Sequence, residues 1–91
     1  MNKTQFIQLL EQEGYPQPIE VKQQPNGSLD NHAHPFAVMA LVIEGSIDLT
    51  IQEKTKTYEP GDVFQLEFEE LHAESYGPDG VTYLASRKQF K

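Results

Sequence analysis

The chain has 91 residues, enough for one small domain, and its 14 acidic and 7 basic side chains give a formal net charge of −7. The few basic residues are scattered along the chain, which argues against binding to a nucleic-acid backbone. Cysteine is absent, which excludes disulfides, thiolate metal ligands and cysteine nucleophiles. Any metal ion must therefore be held by nitrogen and oxygen atoms.

The N-terminal segment predicts one helix over about residues 2–13. Apolar side chains recur at the spacing of one helical face, at Phe6, Leu9 and Leu10. Asn2 with Gln5 three positions later is typical of a helix N-terminus, and Gly14 indicates the end. The segment contains acidic residues and no long apolar run, so it is neither a signal peptide nor a membrane span. We expect a cytoplasmic protein that does not bind membranes.

After this helix the chain shows short apolar runs separated by turn signals, a pattern typical of an all-β sandwich or barrel. We expect a barrel over about residues 18–87, so that residues 1–91 form a single domain. The expected strands are 19–24, 36–43, 47–52, 56–59, 63–68, 72–76 and 81–86. Turn residues predict chain reversals at 25–27, 44–46, 53–55, 60–62 and 77–80.

The strand expected at 36–43 is apolar at every position, as in a strand covered on both faces. One face would look into the barrel. The other would pack against the helix, a second sheet or a second subunit. A homodimer is therefore the expected assembly.

The histidines are the best candidates for a functional site. His32 and His34 project to the same side if their segment is extended, because side chains alternate along a strand. His72, the remaining histidine, lies in a distant strand-like segment. If the sheet closes on itself, all three imidazoles meet at one place, which predicts a metal site.

The histidine spacing resembles that of the cupins, small β-barrels whose first motif reads G(X)5HXH(X)3-4E(X)6G. His32 and His34 match this motif, Gly45 closes it at the right distance, and Gly27 is one residue closer than usual. The glutamate position falls on Val38.

The second cupin motif reads G(X)5PXG(X)2H(X)3N and is matched at two positions. Gly61 and His72 fit it, whereas Glu67, Glu69 and Tyr76 replace the proline, the second glycine and the asparagine. The resemblance covers about residues 27–76.

This resemblance implies a cupin-type jelly-roll β-barrel with one short N-terminal helix, often dimeric, that holds a divalent metal inside. Three neutral imidazoles suit zinc, nickel, copper or iron, and three protein ligands leave a coordination position open. Because Val38 occupies the glutamate position, it supplies no carboxylate. That absence argues against tightly held iron.

Two other side chains are candidates for an additional metal or supporting role. Glu74 faces the same way as His72, and Gln65 points inward in one of its two registers. The alternative reading of Glu74 is a solvated or hydrogen-bonded residue at the barrel mouth. Phe36, Val38 and Tyr76 are expected to line an adjacent small-molecule pocket.

Two functions follow from these residues. The first is a small metal-binding cupin with a pocket for a small molecule, which uses the open coordination position for binding or for a Lewis-acid reaction. The alternative is a non-catalytic module that binds or senses a small ligand without metal. A third reading is an interaction protein built around the doubly apolar strand. Enzyme and binding protein are equal alternatives at this point.

Overall fold

The computed structural model describes residues 1–89, which form one helix and six antiparallel strands. In chain order the elements are α1 (Lys3–Gln12), β1 (Ile19–Gln23), β2 (Ser28–His32), β3 (Ala37–Ile51), β4 (Lys54–Tyr58), β5 (Val63–Leu66) and β6 (His72–Lys88). The predicted all-β class with one short N-terminal helix is confirmed. The single-domain prediction also includes residues 90 and 91, which lie outside the described residues. In the described part of the chain no helix has the length and apolar content needed to cross a membrane.

Two long strands, β3 and β6, form the centre of the sheet and pair with each other along most of their length. The shorter strands attach to their flanks. β1 pairs with the second half of β6 and β2 with its first half, while β5 and β4 pair with successive halves of β3. Two of the candidate metal ligands, His72 and Glu74, lie on β6, and His32 lies on β2 beside it.

Helix α1 covers the outer face of the central strands. Asn2 caps it: the Asn2 side chain accepts a hydrogen bond from the Gln5 amide at 2.8 Å, and the Gln5 side chain accepts one from the Asn2 amide at 3.0 Å. Its buried residues pack on the sheet in what we call the helix layer, formed by Phe6, Leu10, Met39, Leu41 and Leu84. The outer face of β3 is therefore covered by the chain's own helix, and the homodimer stays a prediction.

The inner faces of the strands enclose a second apolar cluster, which we call the barrel core. Its members are Val38, Ala40, Val42, Ile47, Leu49, Phe64, Leu66, Tyr76, Val81, Tyr83 and Ala85. Side chains alternate along β3 between this core and the helix layer, as the pleat requires. That alternation explains the continuous apolar run in the sequence.

The turns predicted at 44–46 and 77–80 are wrong. β3 and β6 continue through both segments. The register between the two strands shifts there, so that between the pairs Gly45/Val81 and Ile47/Tyr76 the four residues 77–80 of β6 correspond to the single residue Ser46 of β3. Gly45 has a φ of +75° and approaches the Gly80 carbonyl so closely that a Cβ would collide with it. Residues that are typical of turns form a bulge here. The extra residues bend the two long strands but do not reverse the chain.

The other reversals lie close to their predicted places. The chain turns at 25–26 and at 60–61. The reversal expected at 53–55 falls instead at Gln52 and Glu53, whose φ angles of 52° and 67° fit a two-residue hairpin turn. β4 consequently begins at Lys54, two residues before its predicted start.

Candidate metal centre

The structure brings the three imidazoles together and adds a carboxylate. His32, His34, His72 and Glu74 each offer one ligand atom, and these four atoms all lie within 4.8 Å of one another. The ring centroids of His32 and His72 are 4.3 Å apart, and His34 lies 5.0 and 5.4 Å from them. Residues distant in sequence therefore form one cluster at the edge of the barrel core.

Strand pairing positions this cluster. His32 is the last residue of β2 and pairs with His72, the first residue of β6. His34 follows in the loop between β2 and β3, where its carbonyl accepts a hydrogen bond from the Glu69 amide at 2.8 Å. Two loops are thereby joined across the site, and the predicted extended strand ends before His34.

Hydrogen bonds to the backbone assign the tautomers of two imidazoles. Nδ1 of His32 donates to the Asp30 carbonyl at 2.7 Å, and Nδ1 of His72 donates to the Glu70 carbonyl at 2.9 Å. A carbonyl oxygen only accepts, so both Nδ1 atoms carry the proton. In the neutral rings both Nε2 atoms then present lone pairs, the arrangement usual in metal-binding histidines.

The Glu74 carboxylate lies opposite these lone pairs. Its Oε2 is 3.2 Å from Nε2 of His72 and 3.4 Å from Nε2 of His32, while its Oε1 accepts a hydrogen bond from the Tyr76 hydroxyl at 2.9 Å. The His32 Nε2 is buried and makes no hydrogen bond. His72 Nε2 is within hydrogen-bonding distance of Glu74 Oε2, so two Nε2 atoms and a carboxylate oxygen converge on a place that calls for positive charge, either a proton on His72 or a metal ion.

The site is buried on its β6 side and partly open on the side of His32 and His34, where the His32 side chain is 26% exposed. His72 is 1% exposed and the Glu74 side chain 8%. Burial lowers the pKa of His34 from its usual 6.5, and the His32 and His72 rings lower it further. Burial first, and then the bond to Glu74, raise the pKa of Tyr76 above its usual 10, so its hydroxyl stays a donor at neutral pH.

The donor set fits a transition-metal ion. Ligands bound at about 2.0–2.2 Å from one ion lie about 3–4.3 Å from each other, so the shortest distances here already fit and the widest needs to close by roughly half an ångström. Three imidazoles and one carboxylate suit zinc, nickel, copper or iron. His32, His34, His72 and Glu74 are thus the residues that would hold the ion.

Two predicted site residues differ from expectation. Gln65 pairs with Met39, a helix-layer residue, so it lies on the outer face of the sheet and is not brought to the cluster. Tyr76 lies in the barrel core behind Glu74 instead of in the cavity wall. Val38, at the glutamate position of the motif on β3, has no side-chain atom that binds a metal. The carboxylate of the cluster is instead that of Glu74 on β6.

A cavity of about 160 Å³ adjoins the cluster. His32, His34 and Glu74 contribute to its wall. Its apolar lining includes both remaining predicted pocket residues and consists of Val21, Leu29, Phe36, Val38, Phe64, Leu66 and Ala85. This volume is close to that of cavities known to hold one benzene-sized molecule, about 150 Å³.

Sequence reasoning missed three polar residues of this wall, Gln23, Tyr83 and Arg87. Alternation along the last strand places Tyr83 and Arg87 on one face with Ala85, and that periodicity was available in the sequence. The carbonyls that orient the imidazoles carry no sequence signal, because every residue has one.

A closed antiparallel sheet that gathers three histidines and one glutamate beside a small cavity defines a barrel with a metal-type site. A family model of the cupin domain matches residues 19–74, more than half of the chain. The chain therefore belongs to the cupin family, as its histidine spacing predicted. No curated protein matches the chain.

Solved cupin structures share the fold, which confirms the predicted jelly-roll barrel. A cupin superfamily protein from Desulfitobacterium hafniense has a TM-score of 0.69 at 15% identity, covering 78% of this chain and 64% of that one. Oxalate decarboxylase from Bacillus subtilis, described with Mn(II) centres, has a TM-score of 0.70 at 21% identity, with 81% and 22% covered. The cupin domain of an XRE family transcriptional regulator from Enterobacter cloacae has a TM-score of 0.64 at 15% identity, with 79% of each chain covered.

Proposed function

We propose that this cupin holds one divalent transition-metal ion through His32, His34, His72 and Glu74 and binds a small organic molecule in the adjacent cavity. Zinc, nickel, copper and iron suit the nitrogen-rich donor set. Manganese joins them because an oxalate decarboxylase of the same fold is described with Mn(II) centres.

One observation carries the proposal. The Nε2 atom of His32 is buried without a hydrogen bond, while its Nδ1 already donates to a carbonyl. A buried polar atom without a partner costs about 1–3 kcal/mol, so such atoms usually have a ligand. The matching orientation of His72 and the nearby Glu74 carboxylate supply the remaining donors.

A divalent ion bound here supplies Lewis-acid polarisation of a ligand oxygen. The chain's own residues do the rest. Tyr76 holds one oxygen of Glu74 and leaves the other directed toward the imidazoles. The apolar wall of the cavity removes the apolar part of a ligand from water, and its volume of about 160 Å³ suits a compact group.

Metal analysis tests the proposal directly. The protein, purified without a histidine tag and incubated with each candidate metal, should retain about one ion per chain after gel filtration. The His34→Ala variant should no longer retain one ion per chain, since the substitution removes one of the four ligand atoms of the cluster. Elemental analysis by mass spectrometry gives the content.

A matched pair of carboxylate variants provides the control. Glu74→Gln should lose most of the metal, whereas Glu69→Gln, the same change at an exposed residue of the neighbouring loop, should keep it. Equal metal content in wild type and His34→Ala would overturn the assignment. A metal-free protein that still binds a small molecule would support the sensing module instead.

A further inference from the structure

Arg87 is a cationic side chain in the cavity wall that the proposed metal site does not use. It lies near the end of β6 and pairs with Val38, which lines the same cavity. The residue is exposed, so its guanidinium marks the open side of the cavity. No ion pair found within residues 1–89 involves Arg87.

An aromatic ring holds this guanidinium near the metal cluster. The Arg87 guanidinium carbon lies 4.9 Å from the centre of the Phe36 ring. Phe36 in turn stacks on His34, with ring centroids 5.0 Å apart and planes within 6° of parallel. The cation is therefore placed beside the candidate ligands by packing, and no carboxylate within residues 1–89 forms an ion pair with its N–H donors.

Charge and shape point to one class of ligand. A divalent ion outweighs the single Glu74 carboxylate, and Arg87 adds positive charge to the same cavity, although the protein as a whole has a net charge of −7. The guanidinium fork matches a planar carboxylate with two parallel hydrogen bonds. A phosphate needs several strong donors, and Arg87 is the one basic side chain in this wall as described.

We propose that the cavity binds a small carboxylate, with its carboxylate group on Arg87 and its compact apolar body against Val38 and Leu66. This inference rests on the proposed metal site, which supplies the other positive charge. The cavity of about 160 Å³ takes the apolar body, and the carboxylate lies at its open side.

Cobalt(II)-loaded protein tests the inference: its visible absorption reports metal occupancy, and calorimetric titration measures ligand binding separately. The probes are propionate and 3-hydroxybutyrate, each paired with its neutral amide, and inorganic phosphate. We expect both carboxylates to bind saturably and the amides to bind about 10–100-fold more weakly.

Variants assign the effect to Arg87. Arg87→Gln should keep the resting cobalt spectrum but weaken carboxylate binding about 10–100-fold, and Arg87→Lys should lose less, because a point charge remains. Lys22→Gln is the matched control: it removes one positive charge at an exposed residue whose recorded ion pair is a 3.8 Å contact with Glu20.

The possible outcomes distinguish a failure of the carboxylate inference from a failure of the metal site. Undiminished carboxylate binding in Arg87→Gln, equal binding of acids and amides, or tighter binding of phosphate would overturn the carboxylate inference while the cobalt spectrum leaves the metal site standing. Absence of any cobalt spectrum in the wild type would overturn the metal site and this inference together.

Discussion

The helix layer and the barrel core are both buried, but the buried polar groups beside them differ in whether they are hydrogen-bonded. Beside the helix layer the buried Ser86 hydroxyl donates to the Pro16 carbonyl at 2.6 Å, so its hydrogen-bonding capacity is used within the chain. At the edge of the barrel core the buried His32 Nε2 has no such partner. A satisfied buried group needs only the fold to explain it, whereas an unsatisfied one indicates a missing ligand.

Both regions are built from the same strand. Alternate residues of β3 enter the barrel core or the helix layer, so stability and binding are separated by the thickness of one sheet. Changes in the helix layer should act on folding, and changes in the barrel core on binding. The following experiments test that separation.

The largest effect is expected on the free energy of unfolding of the metal-free protein. It comes from replacing leucine with alanine, in one variant in the helix layer and in another in the barrel core. Leu10→Ala should lower the free energy of unfolding by about 2–5 kcal/mol, because Leu10 is 2% exposed and closely packed. Leu66→Ala should cost less, near the lower end of that range, because Leu66 already borders the cavity beside the metal site. Urea unfolding followed by circular dichroism measures both.

Binding by the same variants sharpens the contrast. Folded Leu10→Ala should bind metal and carboxylate as the wild type does, while Leu66→Ala should accept bulkier carboxylates in its enlarged cavity. The separation fails if Leu10→Ala alters ligand affinity or if the order of the two stability losses is reversed.

An intermediate effect is expected from Tyr76, which touches Glu74 but does not line the cavity. Tyr76→Phe removes the hydroxyl that donates to Glu74 at 2.9 Å and should weaken metal affinity about 10–100-fold, as for other residues that orient a ligand. Competition with a chromophoric chelator gives the affinity. Tyr58→Phe, the same change at a tyrosine packed on Phe64, serves as the control. Equal metal affinities in the two variants would show that Tyr76 does not position Glu74.

The smallest expected effect is the loss of folding stability at acid pH. Burial holds the pKa of His34 below 6.5, so as the pH falls through 6.5 the unfolded chain takes up a proton that the folded chain resists. The free energy of unfolding of the metal-free protein should therefore decrease toward acid pH, and less steeply in His34→Gln. Urea midpoints between about pH 7 and 5.5 compare the two proteins, and identical slopes would contradict the prediction.

The sequence predicted the fold class and much of the candidate site, since both rest on local patterns. The alternation of apolar residues and the capping pair at Asn2 and Gln5 identified strands and helix. The spacing of His32, His34 and His72 was sufficient to predict that the histidines meet.

Other features depend on tertiary structure that no local pattern encodes. The glycines at 45 and 80 occur in turns as readily as in bulges, so only the pairing of β3 with β6 shows which one forms. The inward or outward side of Gln65 depends on a register that sequence leaves open. Glu74 was a candidate from its parity with His72, but its position opposite the two Nε2 atoms, with Tyr76 bound to its other oxygen, depends on the fold.

The bulge at 77–80 divides β6 into two functional halves. Glu74 precedes it and Arg87 follows it, so the candidate ion and the proposed anion contact sit on opposite sides of the irregularity. Because successive side chains point to opposite faces, gaining or losing a single residue in that segment would turn Arg87 away from the cavity unless the bulge absorbed it. Because the same change would turn Val81, Tyr83 and Ala85 out of the barrel core, the length of this segment is constrained by core packing as well as by the anion contact.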